Sequence, residues 1–334
     1  MASSIPHRNI LIIGIGGFGN KAAIRLRGEV EKKYIHLEDH ARPQVNLLSL
    51  DLTYPGREYF QGFPEEEWPE NIYLKSEEQF FIGPPNTYID TAWTKIALDS
   101  ASGVPEAKEL LLKQRMRIGM EAPFPSDYLA MLYESRSRFK EFIEQFFDRL
   151  SIQNKYNLSE TSVYIFSSLI GNLGRQTYIP LIRILNDVCE LDSFRAINSI
   201  FFTPEVFKNS GWLQKFHEYR YFAAIKKIHD FSETRREDVS QITQLLISLS
   251  QDQNFDSNRI SPNDVIDSVA MATGHYLEIN NSSSDFATEI STLLMKGSDT
   301  KVMVSRFSND VFSATRELVN SLSEFERAQV KDLL

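Results

Sequence analysis

Short continuous apolar runs alternate along the chain with stretches in which apolar residues recur every three or four positions. The first run is NILIIGI (9–15), and it stops at Gly14, Gly16, Gly17 and Gly19. A run this short, closed by glycines, has the form of a strand buried on both faces of a parallel sheet. Beyond Gly19, residues Ala23, Leu26 and Val30 fall at helical spacing, so the pattern predicts strand, turn and helix. QVNLLSLD (44–51) is a second strand ending at an acid. Residues 52–115 are weakly periodic and rich in Pro, Tyr, Glu and Asn, and read as loops with short helices. SDYLAMLYESRSRFKEFIEQFFDRL (126–150) reads as a long amphipathic helix capped by Ser126.

The opening logic then repeats. TSVYIFSSLIGNLGRQTYIPLIRILNDV (161–188) has a β-rich run, a glycine-bearing turn and a helix carrying Leu181, Ile184 and Val188. AINSIFFTPEVF (196–207) is a further buried strand closed by Thr203-Pro204, and EYRYFAAIKKIHDF (218–231) is helical. ITQLLISLSQDQ (242–253) suits either type by itself; its place between helices in an alternating series favours a strand. SPNDVIDSVAMATGHYLEI (261–279) opens as a helix, with proline and acids in its first turn. KVMVSRF (301–307) reads as a strand, and 308–334 as a capped amphipathic helix with Val311, Leu318, Leu322 and Phe325 on one stripe. The whole is an α/β pattern of the Rossmann-like, doubly wound kind.

Composition narrows the function classes. The 334 residues carry a formal charge of −9, which argues against a general binder of nucleic acid or anionic membrane. A single cysteine, Cys189, excludes an intrachain disulfide and suits a reducing compartment. No apolar run approaches a membrane span, and MASSIPHRN has no apolar signal region, so the expected location is cytoplasmic. The six histidines form no metal-ligand spacing, and no metal site is expected on the protein itself.

The chemistry lies in the two glycine turns. A strand that feeds a helix through glycines leaves backbone N–H groups converging at the positive end of the helix dipole, where a phosphate is stabilised. Gly14-Ile15-Gly16-Gly17-Phe18-Gly19 also satisfies the dinucleotide fingerprint G-x-G-x-x-G. That fingerprint wants an acid about 20 residues on for the ribose, whereas Asp51 comes 32 residues after Gly19. The second turn, SSLIGNLGRQ (167–176), lies on a separate strand, and two phosphate-facing turns suit a mononucleotide triphosphate gripped from both sides.

With these segments in hand, the chain resembles the tubulin/FtsZ superfamily. GIGGFGN is similar to that family's first nucleotide loop, including the asparagine at its end, Asn20. LLSLD resembles its second strand with its acid, Asp51, and SLIGNLGRQ lies where the family carries G-G-G-T-G-[ST]-G. FFTPEVF, YFAAIKKIHDF and ITQLLISLSQDQ are similar to the elements that follow the signature. SPNDVIDSVAMATGHYLE resembles the start of the central helix, and SSDFATEISTLLMKGS (283–298) the catalytic loop N-x-D-F-A-D with its helix.

The resemblance implies a nucleotide-binding domain over 1–260, a central helix over 261–282 and a reduced C-terminal domain over 283–334. It implies binding of GTP or GDP, with Mg²⁺ held through the nucleotide, used to control assembly. Phosphate contacts would come from Gly14, Gly16, Gly17, Phe18, Gly19, Asn20, Asp51, Gly171, Asn172, Gly174 and Arg175, and a guanine contact from Asn263. The departures fall on the chemistry. Leu173 stands at the signature's threonine, and Arg175 either donates a charge-assisted bond or occupies the phosphate site itself. Asp285 matches the first catalytic acid, but Thr288 replaces the second and Ser283 the asparagine, so hydrolysis is expected to be weak or absent. As a cap for the following helix, Asp285 has a second role open to it. Asn263 has one too, as a helix-start residue. Partners would be further copies of the chain, or proteins docking on the C-terminal helix. An NAD(P)-binding oxidoreductase needs only the first turn, and a nucleotide-free scaffold needs neither.

Overall fold

The computed structural model describes residues 9–36, 42–51, 76–81, 138–150, 157–210, 215–234, 242–249, 260–279, 285–297 and 302–307. Seven strands form one sheet: β1 (Asn9–Ile15), β2 (Gln44–Asp51), β3 (Gln79–Phe81), β4 (Thr161–Ser168), β5 (Ala196–Phe202), β6 (Ile242–Leu249) and β7 (Val302–Arg306). Their spatial order is β3-β2-β1-β4-β5-β6-β7, all parallel except β7, which runs antiparallel to β6. Register is unbroken through the centre, with Ile13 lying between Leu48 and Ile165.

The helices are α1 (Gly16–Tyr34), α2 (138–150), α3 (Asn172–Cys189), α4 (Lys215–Thr234), α5 (Pro262–Ile279) and α6 (Phe286–Gly297). They cover both faces, which explains why the strands are continuously apolar rather than alternating. Ile10 and Ile12 of β1 pack with α1, α5 and α6. Leu11, Ile13 and Ile15 pack on the opposite face with α2, α3 and α4. Because α1 and α3 follow adjacent strands but lie on opposite faces, the winding reverses between β1 and β4, and a crevice opens there at the C-terminal strand ends.

The ambiguous run at 242–253 is a strand, its inner position held by pairing to β5 and β7. β3 departs from the sequence reading, which placed loops and short helices throughout 52–115. It is held by parallel pairing to the end of β2 and by Phe80, which stacks on Phe139 of α2 with centroids 4.8 Å apart. Short strands of this kind are made by such partners rather than by their own periodicity. Residues 286–306, beyond the central helix of the sequence reading, add α6 to the α1 layer and an edge strand to the same sheet. The capping of the long helix by Ser126 and the amphipathic helix at 308–334 lie outside the described residues. Among the described residues no helix is long and apolar enough to cross a membrane.

Candidate functional site

The two glycine turns meet at the reversal point. Gly16 opens α1 with φ +68°, a left-handed conformation that glycine adopts without strain. Gly14 and Gly19 are required by close approach. A Cβ at Gly14 would lie 2.5 Å from Asn20 Oδ1, and one at Gly19 would collide with the carbonyl oxygen of Phe166 on β4. On the other side of β4, a Cβ at Gly174 would collide with Ser167 Oγ and the Ser168 carbonyl oxygen. α1 and α3 therefore straddle the end of a single strand, each held against it by a glycine. Gly171 is the N-cap residue of α3 and has open space around it, its nearest neighbour being the Ser168 carbonyl oxygen.

Neither N-terminus is closed by a side chain. Ile15 and Gly171 are the cap residues; neither makes a side-chain cap bond, and neither first turn contains an acid. The first backbone N–H groups of both helices, Gly16, Gly17 and Phe18 on one side and Asn172, Leu173 and Gly174 on the other, have no intrahelical acceptor. Beneath them, Ser167 and Ser168 are buried, and their Oγ atoms have no hydrogen-bond partner among the described residues. The sequence gives no reason to choose these two serines, because small polar residues at a strand end read as punctuation.

Asn20 and Asp51 form the floor of the first turn. Asn20, buried in α1, donates through Nδ2 to Asp51 Oδ2 at 3.2 Å and to the Leu50 carbonyl at 3.4 Å. Its Oδ1 is buried without a hydrogen-bond partner among the described residues. Phe18 is held edge-on against Phe207, centroids 4.3 Å apart, with Lys21 over its ring. Burial lowers the Lys21 pKa.

The sequence reading leaves Arg175 two roles, bonding to a phosphate or occupying its site, and puts Leu173 at the position of the signature's threonine. A Cβ at Gly16 would lie 3.5 Å from Leu173 Cβ and 3.7 Å from Cδ2, so the leucine is the side chain in contact with that turn. Arg175 is buried, and its charge is felt on α4. Burial lowers the pKa of Lys227 there, and the Arg175 guanidinium lowers it further. The next strand end adds Thr203, another residue without a sequence signal. Its single O–H is shared between Glu205 Oε2 at 2.5 Å and the Ile247 carbonyl at 2.9 Å.

No family model matches the sequence, and no curated protein matches it either. Solved structures do match. The chain is similar in structure to CetZ and TubZ. For CetZ from Methanosaeta thermophila the TM-score is 0.44 at 10% identity, covering 86% of this chain and 58% of that one. For TubZ of Bacillus thuringiensis serovar israelensis, in GDP-form protofilaments, it is 0.44 at 11% identity, covering 85% and 59%. A GTPγS-form protofilament of the same TubZ gives 0.44 at 12% identity, covering 85% and 60%. The chain thus spans about three fifths of the length of the structures it matches.

Asn263 lies at the same sheet edge as the glycine turns. α5 runs alongside α1 in the same direction. Arg25 Nε meets Asp267 Oδ1 at 2.8 Å, and further along Gly274 passes Glu29 and Lys33. Asn263, one turn before Asp267, is therefore level with the first turns of α1. Capping of α5 falls to its neighbours. The Ser261 N–H donates to Asp264 Oδ2 at 2.8 Å, and the Asp264 N–H to Ser261 Oγ at 3.2 Å. This reciprocal pair relieves Asn263 of the helix-start role.

Asp285 is not brought to the turns. The adjoining Phe286 packs on Tyr276, centroids 4.9 Å apart. Tyr276 lies roughly 20 Å along α5 from Asn263 at 1.5 Å per residue. Asp285 Oδ2 accepts from the Thr288 N–H at 3.1 Å and from Thr288 Oγ1 at 2.8 Å, and the carboxylate pairs with Arg306. Partial burial raises its pKa, but the bonds from Thr288 and Arg306 outweigh this and hold it below the usual value. Asp285 is thus the cap of α6, and Thr288, at the position of the second catalytic acid, is spent in holding it.

Proposed function

We propose that the chain binds a guanine nucleotide at the C-terminal edge of the sheet, between the turns that follow β1 and β4, and uses it to control assembly. The observation that carries this reading is the convergence of two uncapped helix N-termini on one strand end whose buried serine hydroxyls lack partners among the described residues. Phosphate oxygens are the groups that satisfy such an arrangement, accepting from backbone N–H and hydroxyl alike. Among the described residues no three His, Cys, Asp or Glu side chains gather to hold a metal. Mg²⁺ in this reading arrives on the phosphates, which suits its preference for few protein ligands. Selectivity for guanine is assigned to Asn263, and assembly rests on the sequence resemblance to the tubulin/FtsZ superfamily.

Hydrolysis is slow or absent in this reading, because Thr288 stands at the second catalytic acid of the resemblance and Asp285 is engaged by Thr288 and Arg306. A dinucleotide is disfavoured by Asp51. The acid that would hold a ribose is buried and takes a bond from Asn20. The test is calorimetric titration with GTP, GDP, ATP and NAD⁺ in the presence of Mg²⁺. Guanine-selective binding is the expected result. Uptake of NAD⁺ would replace the reading with the oxidoreductase, and silence with all four would leave a scaffold. Light scattering with and without the bound nucleotide then reads the assembly step.

A further inference from the structure

We infer that Lys21 reads the base of the bound nucleotide, as a specificity residue for a purine with an oxygen rather than an amino group at C6. The inference deepens the nucleotide reading above and rests on it. Its carrier is the alignment of α1 with α5. A Cβ at Gly274 would lie 3.5 Å from Glu29 Cβ, so the two helices are level there. Eleven residues, close to three full turns, separate Gly274 from Asn263 and Glu29 from Phe18. Because the helices run in the same direction, Asn263 faces α1 at the level of Phe18. Lys21 Nζ lies 5.8 Å from the centre of the Phe18 ring, leaning back toward the start of α1 as helical side chains do. The ammonium and Asn263 therefore stand at one level, at the mouth of the groove between α1 and α5.

The neighbours of Lys21 along α1 fix the side on which it works. Phe18, Lys21 and Arg25 recur at spacings of three and four residues and share one face of the helix. Phe18 packs edge-on against Phe207, in the layer that carries α5, and Arg25 Nε meets Asp267 of α5 at 2.8 Å. Lys21 lies between these two contacts and so belongs to the α5 side, whereas α3 packs on the opposite face of the sheet. The phosphates of the reading above lie between α1 and α3, which leaves the α5 side to the base. An ammonium only donates hydrogen bonds. Guanine offers it two adjacent acceptors, O6 and N7, while adenine sets an amino donor beside N7. Lys21 is half-buried, and a donor facing a donor there loses the water that would satisfy both. Asn263, with both a donor and an acceptor in its amide, is left for the remaining polar edge of the ring.

The test measures binding of GTP, ITP and ATP to the intact chain in Mg²⁺ by calorimetry. ITP keeps O6 and N7 but lacks the 2-amino group. For the unaltered chain the expected order is ITP within about tenfold of GTP, and ATP about tenfold or more weaker than ITP. Lys21→Met keeps the length of the side chain and removes its donors, and is expected to cut the preference for GTP over ATP by about tenfold. Lys21→Arg, which keeps donors, retains that preference. An equal loss of GTP and ATP affinity in Lys21→Met, with their ratio unchanged, would place the ammonium on the phosphates and overturn the inference. ITP as weak as ATP with the unaltered chain would overturn it too, even if the methionine variant folds poorly, and would leave the nucleotide reading standing. Failure of all three to bind would overturn the nucleotide reading itself.

Discussion

Gly174 shows how one residue serves two purposes. Its missing side chain lets α3 lie against the backbone of β4, and this contact also sets the height at which the first turn of α3 stands over the crevice. Gly174→Ala pushes a methyl group into the Ser168 carbonyl, which cannot move without breaking the sheet. The expected cost is about 1–3 kcal/mol of stability, read by urea denaturation. Gly171, with open space around it, tolerates alanine at a fraction of that cost. The fingerprint letters in the sequence treat such glycines alike, and their different tolerances come from what lies opposite each one. Leu173 makes the same point. In the sequence it is a departure from a signature, and in the fold it is a buried side chain packed beside the turn at Gly16.

At the scale of elements, polar links fix the helices against the sheet. Arg27 of α1 is buried and donates to both oxygens of Glu78, each at 2.9 Å, and to Glu31 at 2.9 Å. Burial works against its charge, but Glu78 and Glu31 outweigh this and raise its pKa. The bond ties α1 to the segment leading into β3, a strand too short to hold its place by pairing alone. Arg27→Ala removes both bonds to the buried Glu78 carboxylate and is expected to cost about 3–5 kcal/mol, whereas the double change to Met and Leu is expected to be near neutral. Chemical denaturation of both variants checks the difference. The cap of α6 is a smaller effect. Asp285→Ala is expected to lower stability by about 0.5–2 kcal/mol, while Asp285→Asn, which keeps an acceptor for Thr288, loses less. If either change instead removed a measurable GTP turnover while leaving stability untouched, the capping role would be secondary.

For the whole molecule, buried neutral groups set the alkaline limit. Burial pushes the Cys189 thiol up to about 12. Tyr178 is likewise raised to about 12 by burial, against the opposing bonds of Ser199 at 3.0 Å and Gln244 at 3.1 Å. Their ordinary values are 9.0 and 10.0, so between roughly pH 9 and 12 the unfolded chain releases protons that the folded chain keeps. Fewer protons on the unfolded state means that stability falls as pH rises through this window. Denaturation midpoints measured from pH 8 to 11 are expected to decline progressively. Cys189 in the native chain is expected to resist alkylation at pH 8 and to react once denatured.

The order of strands and helices, the two glycine turns and the absence of a disulfide are legible in the sequence. Period and turn chemistry are local, and continuous apolar runs separated by helical spacing permit little else. β6 needed its place in the series to be read as a strand. β3 could not be read at all, since its three residues draw their conformation from β2 and Phe139. The candidate site divides in the same way. Gly14, Gly16 and Gly19 declare themselves by spacing, because a chain must turn there, and Asn20 enters only through the family resemblance. Ser167, Ser168 and Thr203 do not, because a hydroxyl at a strand end acquires meaning only from what the fold brings over it. The same holds for Leu173 against Gly16 and for Asp285, held by Thr288 and Arg306. Sequence determines which segments turn and which are buried. Only the packing of α1 and α3 on opposite faces of one sheet decides which polar groups are brought together at the end of β4.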